Sequence, residues 1–124
     1  MPKRVLIVDD DLAIAELLRM FLEPEGFQTE IAGNGVAATQ LLYKNHFDLV
    51  ITDLFMPEKD GLEFLRELRL RNEKVKIIAV SGGGSKMGPE VFLKMAQLQG
   101  ASRTFEKPFD CNEIVRAVKA LLAE

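Results

Sequence analysis

The chain has 124 residues, 48% hydrophobic and 28% charged, which is enough for one continuous core and too apolar for disorder. A net charge of −3 with no run of lysine or arginine speaks against direct nucleic-acid binding. The lone Cys111 excludes an internal disulfide, and the first apolar stretch is too short for a signal peptide or membrane span, so a cytoplasmic domain without membrane insertion is expected.

In chain order, Val5–Val8 is a short β-branched run, as expected for a strand buried on both faces. Ile14, Leu17, Leu18, Phe21 and Leu22 follow the spacing of one apolar helix face, with Asp11 placed to cap it and Pro24 and Gly26 to end it. Phe27–Ala32 reads as a more polar strand nearer an edge, followed by a helix capped by Asn34 and carrying Val36, Ala37, Leu41 and Leu42. Leu49–Thr52 is a third strand, and Asp60-Gly61 opens a helix with Leu62, Leu65 and Leu68 inward. Ile77–Val80 is a fourth strand; the next helix begins near Gly88-Pro89 and stops at Gly100. A fifth run, Arg103–Glu106, precedes a helix from Asp110 with Ile114, Val115, Val118, Leu121 and Leu122 on one side. This alternation predicts an α/β fold with a doubly wound five-stranded parallel sheet and five helices, one domain over residues 1–124.

Several strands run straight into chemistry. Asp9-Asp10, Asp53, Ser81 and Lys107-Pro108 each follow an apolar run, and in an open parallel sheet such positions share the carboxyl edge, where ligands bind. Three carboxylates, a hydroxyl and an ammonium gathered there describe a magnesium-dependent phosphoryl-transfer site. Asp9 and Asp10 also suit a helix start, where acids offset the helix dipole, so position alone leaves both readings open. Asp53 has no helix directly after it to cap, and beside two other acids it would be repelled unless a cation or Lys107 intervened. A carboxylate so placed can act as a nucleophile toward phosphorus. Ser81 could bond a phosphoryl oxygen or simply begin a turn.

Taken together, Val8-Asp9-Asp10, the segment Asp53-Leu54-Phe55-Met56-Pro57-Glu58-Lys59-Asp60-Gly61, Ser81 before a small residue, and Phe105-Glu106-Lys107-Pro108-Phe109 resemble the receiver domain of two-component response regulators over essentially the whole chain. The resemblance implies strand order 2-1-3-4-5. It implies that Asp53 accepts phosphate from a sensor histidine kinase or a histidine phosphotransfer protein. It also implies Mg2+ held by Asp9, Asp10, Asp53 and the backbone carbonyl of Phe55, with Asp9 acting through water. Lys107 would bridge to Asp53 and its phosphate. Ser81 and Phe105 would be the switch pair beside Pro108, relaying the change to the surface of the fourth helix, fifth strand and fifth helix. Such a chain is a signalling module acting only on its own phosphorylation, with no output domain in these residues and a downstream target they do not name.

Two departures stand out. The loop Ser81-Gly82-Gly83-Gly84-Ser85-Lys86-Met87-Gly88 is glycine-rich but lacks Gly-Lys-Ser/Thr, so it reads as a flexible connector, not a nucleotide loop. Phe55, two residues after the acceptor, puts a bulky apolar group where water would attack, and a long-lived aspartyl phosphate is expected. His46 has no second histidine or cysteine beside it to build a metal site. A phosphatase of the haloacid dehalogenase type would need threonine where Ala13 stands and would leave Asp53 unexplained. An unphosphorylated scaffold would ordinarily have lost one of the acids or the lysine, and all are present.

Overall fold

The computed structural model describes residues 2–54, 61–71, 74–82 and 89–123. Strand β1 (Arg4–Val8) leads into α1 (Leu12–Leu22), which closes in a 3-10 turn (Glu23–Glu25). Then follow β2 (Gln28–Ala32), α2 (Gly35–Lys44), β3 (Leu49–Asp53), α3 (Gly61–Arg71), β4 (Lys76–Ser81), α4 (Pro89–Leu98), β5 (Arg103–Glu106) and α5 (Cys111–Leu121). The strands are parallel and ordered β2-β1-β3-β4-β5, as the resemblance implies.

Strand pleating sorts the apolar runs into two layers, because successive side chains point to opposite faces. Val5 and Ile7 of β1, Leu49 and Ile51 of β3, and Ile78 and Val80 of β4 pack with Ala15, Leu18 and Leu22 of α1 and Ile114, Val115 and Val118 of α5. The alternate residues Leu6, Val8, Val50, Ile77 and Ala79 pack with Ala38 of α2, Phe64, Leu65 and Leu68 of α3, and Ala96 of α4. Burying each leucine or isoleucine contributes about 1.5–3 kcal/mol relative to exposure. A continuous apolar run is therefore what a strand between two helical layers requires. The edge strands are less apolar: Gln28 and Glu30 of β2 and Arg103 and Glu106 of β5 are exposed.

The caps expected at Asp11 and Asn34 form, and Asp110, expected as the first residue of the last helix, caps it instead. Asp11 Oδ1 accepts from the Ala13 and Ile14 N–H groups at 3.1 and 3.3 Å, Asn34 Oδ1 from Ala37 at 2.8 Å, and Asp110 Oδ1 from Asn112 at 2.8 Å. Gly26 ends the 3-10 turn at φ 96°, in the left-handed region that glycine enters at no steric cost. Two helical faces differ from the periodic reading. Leu17 and Val36 are exposed, while Ala15 and Ala38 are buried. Small residues let α1 and α2 approach the sheet closely, and this rotates the larger side chains to the margin. Asp60 and Gly88, expected at helix starts, lie outside the described residues; α3 and α4 begin at Gly61 and Pro89.

Candidate functional site

The parallel sheet delivers its strand ends to one edge. Asp9 follows β1 and continues the ladder by donating its N–H to Ala32 O at 3.1 Å. Asp53 is the last residue of β3, and the next N–H, that of Leu54, donates to Val80 O at 2.9 Å. Ser81 ends β4, and its carbonyl accepts the Lys107 N–H at 2.8 Å just past β5. Backbone bonds thus hold the four positions in register before any side chain is considered.

Lys107 joins the acids. Its Nζ donates to Asp9 Oδ2 at 3.1 Å and to Asp53 Oδ2 at 3.3 Å. Asp9 Oδ1 accepts the Asp11 N–H at 2.9 Å, so both Asp9 oxygens are engaged. Asp9, Asp53 and Ser81 are buried, whereas Asp10 is exposed at the mouth. One oxygen from each of Asp9, Asp10 and Asp53 lies within 4.8 Å of the others. The peptide bond between Lys107 and Pro108 is cis.

Among the described residues, one ammonium faces three carboxylates. Burial, reinforced by the charge of Asp53, holds the Asp9 carboxyl above its usual range despite the Asp11 N–H and Lys107. Burial pulls the Lys107 ammonium down, but Asp53 and Asp9 outweigh it and hold it above its ordinary value. Among the described residues the cluster carries excess negative charge on hard oxygen donors, the chemistry that suits a divalent cation such as magnesium.

Gly82 gives this arrangement its room. A Cβ there would sit 2.6 Å from both Cβ and Cδ of Lys107, closer than packed atoms approach, so the lysine stem occupies the space of the missing side chain. In the sequence Gly82 is the small residue after Ser81 and the start of a glycine-rich loop; its contact with Lys107 has no local signal.

The structure does not bring Phe105 alongside Ser81. The β4–β5 register pairs Phe105 with Val80 and Ser81 with Glu106. Phe105 accordingly packs into the α1/α5 layer beside Val80, and the Arg103 guanidinium lies 5.3 Å from its ring centroid. Pleat alternation puts Ser81 on the other face with Ala79, whose β5 partner is Thr104. The sequence shows both residues at strand ends; only the register shows them on opposite faces. Pro108 is exposed beside the cluster. Phe55 and its carbonyl lie outside the described residues.

The model of the response regulator receiver domain matches residues 5–119. The chain belongs to the receiver domain family of response regulators. It is 38% identical over 123 residues to the response regulator MprA of Mycobacterium sp. strain KMS, covering 98% of this chain and 51% of that protein, so it spans about half of that relative's length. It is 36% identical to sporulation initiation phosphotransferase F of Bacillus subtilis, over 98% of this chain and 95% of that protein. A CheY-like receiver domain protein of Methanospirillum hungatei superposes with TM-score 0.90 at 28% identity, over 99% of this chain and 95% of that one. The response regulator TrrA of Thermotoga maritima, solved in complex with Mg(2+)-BeF, superposes with TM-score 0.82 at 33% identity, over 97% and 99% of the two chains. This receiver domain is therefore a module of phosphorylation-based two-component signalling with a CheY-like, flavodoxin-like fold. Among its described residues no helix is long and apolar enough to cross a membrane.

Proposed function

We propose that Asp53 is the phosphoacceptor and takes its phosphoryl group from a phosphohistidine on a sensor histidine kinase or a histidine phosphotransfer protein. The observation that carries this reading is the convergence of the Asp9, Asp10 and Asp53 oxygens within 4.8 Å, with Lys107 bonded to two of the three acids. An oxygen of Asp53 attacks phosphorus, the P–N bond of the phosphohistidine breaks, and its electron pair returns to the imidazole. The product is an acyl phosphate on Asp53 and a histidine that regains its proton from solvent. Asp9, Asp10 and Asp53, with the Phe55 carbonyl, would hold Mg2+. When bound, the ion offsets negative charge on the transferred group.

Lys107 is already bonded to Asp53 and follows the charge onto the new phosphoryl oxygens. The Ser81 hydroxyl, on the adjacent strand end, supplies a neutral donor to the same group. A phosphoryl group adds roughly −1.5 to −2 charge and three acceptor oxygens, so these donors are drawn toward it. Because Ser81 and Phe105 lie on opposite faces, they share no side-chain contact, and the response at Ser81 is carried by movement of its own strand end. The β4–β5 hydrogen bond from Lys107 N–H to Ser81 O ties the two strand ends together for that movement. The α4–β5–α5 surface then changes partner affinity by a shift in population between two arrangements.

The test is incubation with phosphoramidate or acetyl phosphate plus Mg2+, followed by intact mass. Wild type should gain one phosphate and Asp53→Asn none. A gain that survives Asp53→Asn would remove Asp53 from the role, and no gain in either would point to a scaffold. Turnover of a soluble phosphate ester by the Asp53→Asn variant would instead favour a phosphatase.

A further inference from the structure

A cavity of about 350 Å3 opens where α2 and α3 end, at the edge of the sheet away from Asp53. The length of β3 separates the two, roughly 15 Å at the usual strand rise. Buried Phe47 and Leu68 line it together with the exposed Tyr43, Lys44, His46 and Arg71. Among the described lining residues there is no carboxylate. The acids nearest in sequence are Asp48, beside Phe47, and Glu67, beside Leu68. Both are engaged: Asp48 Oδ2 accepts the Arg4 N–H at 2.8 Å and Oδ1 meets His46 Nε2 at 3.2 Å, and Glu67 has a partner of its own.

The Arg71 guanidinium lies 3.7 Å from the centroid of the Tyr43 ring. Stacking covers one face of the guanidinium and leaves its N–H donors in the plane, a preorganised fork for an oxyanion. Lys44 closes α2 and lines the same cavity, to which its ammonium brings a point charge. Cations in a last helical turn commonly offset the helix dipole, and this accounts for Lys44 and for Arg71 singly. It does not account for their convergence with His46 on one concave surface over an apolar base. The volume falls in the range of small-molecule sites.

We infer that this cavity binds the phosphate group of a small molecule, held by the Arg71 fork and the Lys44 ammonium. The site is separate from the Asp53 cluster and does not depend on the reading of that cluster. It is tested by amide NMR titration of the whole chain, without Mg2+ and at matched ionic strength, using inorganic phosphate and adenosine monophosphate as probes. Saturable shifts are expected at Tyr43–Phe47 and at Arg71 with both. Severalfold tighter binding of the nucleotide would assign a phosphate ester as the ligand; equal affinity would assign free phosphate. The double substitution Lys44→Gln, Arg71→Gln should weaken binding roughly tenfold or more, since both donors are charged. Both residues are exposed, and the unliganded spectrum reports whether the variant keeps the fold. Shifts that never saturate, persist unchanged in the double variant, or cluster around Asp53 and Lys107 would overturn the assignment.

Discussion

Position 82 shows how much a single residue can decide. The Lys107 stem fills the space a side chain at position 82 would take, so Gly82→Val must displace the ammonium from Asp9 and Asp53. Phosphorylation of Asp53 by phosphoramidate should slow roughly tenfold or more, as expected when a preorganised charge is moved from a reacting group. Time-resolved intact mass measures this, and an unchanged rate would mean that Lys107 regains its place by another route. The opposite step, loss of the phosphate, is expected to depend on Phe55. A bulky apolar group two positions after the acceptor is expected to obstruct the attacking water, so Phe55→Asn should lose its phosphate faster than wild type. The decay of phosphorylated protein after removal of the donor is the measurement. At this scale the acids, Ser81 and Lys107 were legible in the sequence because each follows a strand-like run. Gly82 was not, because its neighbour is 25 positions away in the chain and only the fold brings them together.

Among the elements, the caps read most directly from sequence, since a cap and the N–H groups it accepts lie within three residues. Asp11→Ala removes two N–H acceptors at the start of α1 and should cost about 1 kcal/mol, seen as a lower urea midpoint with unchanged slope. Because Asp9 also accepts the Asp11 backbone N–H, which the alanine retains, the site geometry should persist and phosphorylation should stay near the wild-type rate. A large loss of phosphorylation would show that the cap also sets the angle of the Asp9 carboxylate. Helix faces were less legible. The spacing that includes Leu17 and Val36 is a valid apolar period, yet Ala15 and Ala38 make the close approach to the sheet. Local period says which residues share a face, whereas the packing distance decides how far that face is rotated.

Across the whole molecule, the far edge of the sheet carries its own electrostatic tie. Burial raises the Asp48 carboxyl, but the Arg4 N–H, then the hydrogen bond and charge of His46, outweigh it and hold it below its ordinary value. The folded state therefore binds fewer protons than the unfolded state in that range, so this contribution to stability rises with pH. It is fully present above the ordinary carboxylate value, about 4, and is lost as the pH falls through the folded value. Asp48→Asn should flatten the acid limb of stability while changing the alkaline limb little, and thermal midpoints across that range read the difference. An acid limb of unchanged steepness would assign the dependence to other carboxylates.

The sequence by itself determined the strand–helix alternation, the caps and the motif of acids and lysine, because each is carried by residues close in the chain or by a shared position at strand ends. The strand order followed from the family resemblance and is the one observed. Only the tertiary structure decided that Asp9 is buried and Asp10 exposed, and that Lys107 reaches across 98 positions to Asp9. It alone placed Phe105 on the face opposite Ser81 and gathered Lys44, His46 and Arg71 around one cavity. The reason is physical: burial, register and charge balance depend on which distant segments become neighbours. A strand carries its own pleat, but its partner sets the register and the helical layers set which face is dry.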